Sequence, residues 1–153
     1  MMMTATVFLP PIRATVRAVI FNQSKLLVQV KRHPGKPDFL TLPGGAQEMG
    51  ETMPQSIARE CFEEIGAKVI VGPLLHMAEV YKPKQGGLRH QIEALFSCEV
   101  PTGYTPRLGP KPDRSQIDTI WADPVEQASL FRPSFASYLI DPDAPFYLGC
   151  FHG

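Results

Sequence analysis

A mixed α/β fold, with one amphipathic helix set among several short strands, is the class this sequence predicts. Apolar residues recur at helical spacing over residues 53–65, β-branched and small apolar runs lie on both sides of that stretch, and turn residues cluster between the runs. The 153 residues, 44% hydrophobic and 20% charged, have the length of one domain, and a chain of this size buries about 68–70% of its unfolded surface. A single domain over residues 1–153 is expected, without an internal repeat.

Residues 13–21 read as a first strand and residues 25–30 as a second, and Asn22-Gln23-Ser24 between them predicts a hairpin. Residues 31–39 hold Pro34, Gly35 and Pro37 and are expected to form a loop that leads through Leu40-Thr41-Leu42 into Pro43-Gly44-Gly45. A helix is expected over residues 53–65: Thr52 and Gln55 form a capping box, Pro54 falls in the first turn, where its missing N–H costs little, and Gly66 stops the helix. Strands are expected at 68–71, 75–81, 91–100 and 117–121, with residues 83–87 as the turn between the second and third of these. Residues 101–112, with four prolines and two glycines, read as a surface loop. Residues 124–139 carry helical patches interrupted by Pro133, and residues 141–153 show little periodicity.

Composition also limits function. Fifteen basic and fifteen acidic residues give no net charge, so no global field draws the chain to nucleic acid or to an anionic membrane. Cys61, Cys98 and Cys150 are an odd set without C-x-x-C spacing, which argues against a disulfide framework and a zinc site and for a reducing cytoplasm. Residues 1–12 lack a basic leader and are broken by Pro10-Pro11, so no targeting segment is expected there.

On a helical wheel Met53, Ile57, Ala58, Cys61, Phe62 and Ile65 share an apolar arc. Glu60, Glu63 and Glu64 fall on the adjoining arc at i,i+3 and i,i+4, with Arg59 expected to point away. Three carboxylates so placed form either a solvated acidic face or a site for a cation that neutralises them. Gly44-Gly45 ahead of the helix favours the cation, because bare backbone can approach closely and offer carbonyl oxygens, the donors Mg²⁺ prefers.

As one string, Gly45, Glu51, Arg59-Glu60, Glu63-Glu64 and Gly66 match every fixed letter of G-x5-E-x7-R-E-U-x-E-E-x-G-U, the signature of the Nudix hydrolases, which this chain therefore resembles. The bulky aliphatic positions are filled by Cys61 and Ala67, which loosens packing without touching a ligand. Leu42-Pro43-Gly44-Gly45 and the tryptophan strand from Trp121 to Pro124 extend the resemblance. It implies an α/β/α sandwich with a mixed sheet and hydrolysis of a nucleoside diphosphate linked to another group, such as a nucleoside triphosphate or ADP-ribose. It implies Mg²⁺, with Mn²⁺ as a substitute, held by Glu60, Glu63, Glu64 and the carbonyl of Gly44 or Gly45. Glu51 and Arg59 match the family's structural ion pair, and the general base is expected at Glu63, then Glu64, then Glu93.

Substrate contacts are expected from Arg17, Arg32, Phe39, Lys82, Arg89 and Glu93, across the sheet between Gly44-Gly45 and the basic turn 82–89. For each of these residues an ordinary surface or core role stands beside the functional one. The expected partner is a small-molecule nucleotide, with neither nucleic acid nor membrane, and a homodimer is compatible with the sequence. A ligand-sensing module on the same fold is the competing class; sensors commonly lose glutamates of the signature, and this chain retains them. An isomerase of isoprenoid diphosphates would need a catalytic cysteine, whereas Cys61 lies on the apolar arc.

Overall fold

Side chains alternate between two cores along the long strands, and that alternation sets the layers. The computed structural model describes residues 5–153. Its strands are β1 (Phe8–Val19), β2 (Phe21–Asn22), β3 (Lys25–Lys31), β4 (Phe39–Thr41) and β5 (Gly44–Ala46), followed by helix α1 (Met53–Ile65). After α1 come β6 (Ile70–Lys84), β7 (Gly87–Glu99), β8 (Gln116–Ala122), a 3₁₀ turn at Ala128–Leu130, the short helix α2 (Ala136–Leu139) and β9 (Tyr147–His152). One sheet runs β5-β1-β7-β6-β9; the other runs β2-β3-β4, with β8 on the free side of β3. β1 pairs β7 in parallel and β6 pairs β9 in parallel, while β1–β5 and β6–β7 are antiparallel, so the larger sheet is mixed.

Val16, Ala18 and Ile20 of the first strand region, Leu27, and Ala94, Phe96 and Cys98 of β7 bury against Ile57, Cys61 and Ile65 of α1. The intervening residues Val19, Leu26, Val28 and Leu95, with Ala78 and Val80, face the other way, onto Phe131, Phe135 and Ala136 around α2. Helical segments thus cover opposite sides of the strands, and the chain has the mixed α/β architecture read from its sequence.

The boundaries of α1 are those expected. Thr52 Oγ1 accepts from Gln55 N at 3.2 Å, Gln55 Oε1 accepts from Thr52 N at 2.9 Å, and Gly66 closes the helix at φ 65°. Its buried face differs from the expected arc. Ala58 is exposed and Phe62 is 47% exposed, while Ser56 and Glu64 are buried beside Ile57, Cys61 and Ile65. The helix is rotated because Glu64 is held inward by hydrogen bonds from Gln29 and from the Gly44 amide.

Four further expectations need correction. The hairpin closes only at Phe21↔Leu26 and Asn22↔Lys25, because β1 belongs to one sheet and β3 to the other. β1 begins at Phe8, upstream of the expected start, and Pro10-Pro11, which cannot donate to a ladder, fall where its register with β7 shifts between Leu9 and Arg13. The β6–β7 connection is tighter than residues 83–87: Lys84 pairs Gly87 and Pro83 pairs Leu88, leaving Gln85-Gly86 as the turn, with Gly86 at φ 89°. The aperiodic tail contains β9, which docks on β6.

Residues 101–112 form a loop as expected, and it also caps the end of α1. Tyr104 Oη donates to Ile65 O at 2.6 Å, Gly109 N to Glu64 O at 2.9 Å and Lys111 N to Glu63 O at 2.8 Å. The expectation about residues 1–12 falls in part on residues 1–4, outside the described residues. Among the described residues no helix is long and apolar enough to cross a membrane.

Phe135 is 1% exposed, so Phe135→Ala is expected to lower stability by about 3–5 kcal/mol. Phe62→Ala, on the outer face of α1, is expected to change it by less than about 1 kcal/mol. Urea unfolding of the two variants checks both; equal costs would place Phe62 in the core.

Candidate active site

The site begins at a glycine that makes room for a carboxylate. A Cβ added to Gly45 would lie 2.7–2.9 Å from the carboxylate atoms of Glu60, so only glycine lets the strand and the α1 carboxylate approach this closely. Gly44 sits at φ 145° with its backbone against Val16 and donates its amide to Glu64 Oε1 at 3.2 Å. Gln29 of β3, 1% exposed, donates to the same oxygen at 2.9 Å. Both donors converge on Oε1, so the orientation of the Glu64 carboxylate is fixed by a strand 35 residues earlier in the chain.

Arg59 does not point away from the carboxylates, contrary to the wheel. Its side chain folds back so that Nε and Nη2 hold Glu51 at 2.7 and 2.9 Å, Nη2 also donates to Ala46 O at 3.1 Å, and Nη1 reaches Glu60 at 2.9 Å and Glu63 at 3.4 Å. A helical wheel records only the direction of Cβ, and the long arginine stem spans the difference. The Arg59 hydrogen bonds, with a further one from Glu48 N, push the Glu51 carboxyl down to about 2.

Glu60 and Glu64 shift the other way. Burial first, and then the charge of Glu60, push Glu64 up to about 7, against the opposing pull of Gln29, Arg17 and Lys31. Burial likewise raises Glu60, with Arg59 acting against it. Among the described residues no three His, Cys, Asp or Glu side chains converge on one point; Glu60 and Glu63 lean on Arg59, and Glu64 leans on Gln29. The donor set nevertheless suits a hard divalent cation: carboxylate oxygens, two of them destabilised in charged form, beside a glycine backbone with no side chain in the way.

Next to the carboxylates, Glu93 (1% exposed) binds Arg17 through both oxygens at 3.3 Å, and Arg17 Nη1 also donates to Leu42 O. This pair forms one wall of a cavity of about 490 Å³. Of the substrate residues expected from the sequence, the cavity gathers Arg17, Phe39, Lys82 and Glu93. Arg32 is not among them, because it is exposed and bonded to Asp38 at 2.8 and 2.9 Å. Arg89 does not line the cavity either, and its Nε is buried without a partner.

The sequence reading missed Lys36, Arg132, Asp113 and His33 as lining residues, the last at 5.2 Å edge-on to Phe39. Lys31, next to the expected Arg32, lines the cavity in its place, because strand parity separates the two: Lys31 lies on the buried side and Arg32 does not. Lys31 is paired with Asp113, a contact across 82 residues that no local pattern announces.

Comparison with known proteins is consistent with this geometry. A model of the NUDIX domain matches residues 11–139. A MutT-like protein of Streptomyces ambofaciens is 28% identical over 133 residues, covering 86% of this chain and 78% of that protein. The structure of a NUDIX hydrolase from Nitrosomonas europaea superposes with a TM-score of 0.69 at 24% identity, over 85% of this chain and 86% of the other. The E. coli dihydroneopterin triphosphate pyrophosphohydrolase superposes with a TM-score of 0.66 at 20% identity, over 87% of this chain and 97% of the other. At these identities the two structures share the fold.

Because Glu64 titrates from 4.5 to about 7 on folding, the folded protein binds the extra proton between those values, and stability falls as pH rises through that window. In chelator the metal-free protein is expected to lose up to about 3 kcal/mol between pH 4.5 and 7.5 from this group. Glu64→Gln is expected to flatten that slope; urea midpoints measured across the range check it, and an unchanged slope would remove Glu64 as its source.

Proposed function

Because this chain belongs to the NUDIX domain family, we propose that it is a pyrophosphohydrolase that cleaves a phosphoanhydride bond in a nucleoside di- or triphosphate or a nucleotide sugar, by attack of water on phosphorus. The observation that carries the reading is the Glu60 carboxylate seated where a Gly45 side chain would be. That contact brings the carboxylate against the strand backbone near Arg17, which lines the cationic cavity and feels the charge of Glu60.

In this reading Glu60, Glu63 and Glu64, with the carbonyl of Gly45 or Gly44, hold Mg²⁺, for which Mn²⁺ substitutes. The ion would screen the pyrophosphate charge and lower the pKa of water. Glu64 is pre-oriented by Gln29, and Glu60 by its seat on Gly45. Glu63 is the first choice for the base, since its side chain is 28% exposed, against 13% for Glu60, and it can reach solvent without leaving the helix. Glu64 stands second. Glu93 stands third, because both its oxygens are engaged by Arg17.

Arg59 has two duties: it ties the loop before α1 through Glu51 and Ala46 O, and it donates to Glu60 and Glu63, offsetting the repulsion between two of the carboxylates that would hold the cation. Arg17 lies between the carboxylates and the cavity, where it can meet a phosphate oxygen, and Phe39 offers a face to a base. A sensor without turnover is less well supported, because the full carboxylate set is retained. Free Cys61, Cys98 and Cys150 favour a cytoplasmic setting, and the same reading takes residues 1–153 as one domain acting on a small nucleotide, without nucleic acid or membrane.

A nucleotide panel with Mg²⁺, scored by phosphate release with and without added phosphatase, tests the function; no turnover on any member would refute it. Activity is expected to vanish in excess chelator, to return with Mg²⁺ or Mn²⁺, and to return poorly with Ca²⁺, which takes looser coordination. Glu63→Gln is expected to lower turnover at least about a hundredfold while the melting temperature in chelator changes little, since relief of the like-charge contact with Glu60 offsets loss of the 3.4 Å bond from Arg59. Wild-type turnover in that variant would exclude Glu63 from the chemistry.

A further inference from the structure

The buried and half-buried charges around the 490 Å³ cavity are paired, with one exception. Arg17 is bound to Glu93 at 3.3 Å on one wall and Lys31 to Asp113 on another. Lys82 of β6 points to the same side as Ala78 and Val80 and lines the cavity with both pairs, yet no carboxylate lies within ion-pairing distance of its ammonium among the described residues. Asp113 feels the charge of Lys82, but its carboxylate is committed to Lys31.

A half-buried ammonium in this position is destabilised. Burial and the neighbouring cations Arg17, Lys84 and Lys31 pull Lys82 down to about 8, against the opposing pull of Glu93. Lys36 and Arg132 add positive charge where the cavity opens. Buried cations in folded proteins are normally paired. Here the missing counter-ion faces open space large enough for a nucleotide-sized ligand.

We propose that Lys82, between the Arg17–Glu93 and Lys31–Asp113 pairs, forms an anion subsite that takes a third phosphoryl group of the substrate, beyond the two held at the carboxylate end. The cavity then selects nucleoside triphosphates over nucleoside diphosphates that end in a neutral sugar. Arg17 lines the cavity together with Lys82 and also feels the charges of Glu60 and Glu64, so its guanidinium links the two anion positions. The selection rests on the proposed hydrolase reading, whereas the subsite itself does not.

The full-length protein provides the test in two arms. In chelator, without metal, inorganic phosphate titrated at pH 7 is expected to bind the wild type and to bind Lys82→Met at least tenfold more weakly, with Lys82→Arg retaining most of the affinity. With Mg²⁺, Lys82→Met is expected to raise KM for a nucleoside triphosphate at least tenfold more than KM for a nucleoside diphosphate hexose. Lys82→Gln serves if the methionine variant does not fold. Unchanged phosphate affinity, or an equal rise in KM for both substrates, overturns the subsite. If wild-type protein hydrolyses neither these substrates nor any member of the nucleotide panel, the hydrolase reading fails while the phosphate titration still decides the role of Lys82.

Discussion

A buried carboxylate and a half-buried one, on neighbouring turns of α1, dominate this structure. Glu60 and Glu64 lie a helical turn apart, both desolvated and both pushed up in pKa. Isolated like charges at that spacing repel by about 0.2–0.5 kcal/mol on an open helix, and burial enlarges the cost. The fold tolerates them because each has a specific receiver: the bare face of Gly45 and the guanidinium of Arg59 for Glu60, Gln29 and the Gly44 amide for Glu64.

Those receivers come from distant parts of the chain, which explains several features that would otherwise look unrelated. β3 supplies Gln29 and, two residues on along the same face, Lys31 toward the cavity. The proline-rich loop after β7 fastens the C-terminal turn of α1 through Tyr104, Gly109 and Lys111, and Gln116 at the start of β8 donates to Glu64 O at 3.0 Å. The carboxylate-bearing turn is therefore clamped at its side chains and at its backbone carbonyls. That degree of fixation suits a group that must present oxygens at a set position.

The cavity has a similar logic at larger scale. Its walls come from both sheets and from the Arg132-Pro133 segment before α2, so cations distant in sequence share one space. Two of those cations carry internal carboxylate partners and Lys82 does not. A neutral chain overall thus concentrates positive potential where a polyphosphate would enter, and local placement achieves what net charge does not.

How much of this was legible beforehand follows from the range of the forces involved. The helix, its caps, its glutamates and the glycines ahead of it were readable from residues 44–66 alone, because capping, helical spacing and steric access of backbone act within a few residues. Strand positions were mostly readable for the same reason, whereas the true partner of β1, the docking of β9 and the extent of the β6–β7 hairpin were not, since sheet pairing is decided by burial between remote segments. The rotation of α1 that exposes Phe62 and buries Glu64, the return of Arg59 onto Glu60 and Glu63, and the isolation of Lys82 between two ion pairs depend on side chains brought together across tens of residues. The sequence by itself determined the fold class and the chemical character of the signature. Only the tertiary structure decided which charges are neutralised within the protein and which face the cavity unpaired, because pairing of buried charge depends on three-dimensional proximity and desolvation rather than on spacing along the chain.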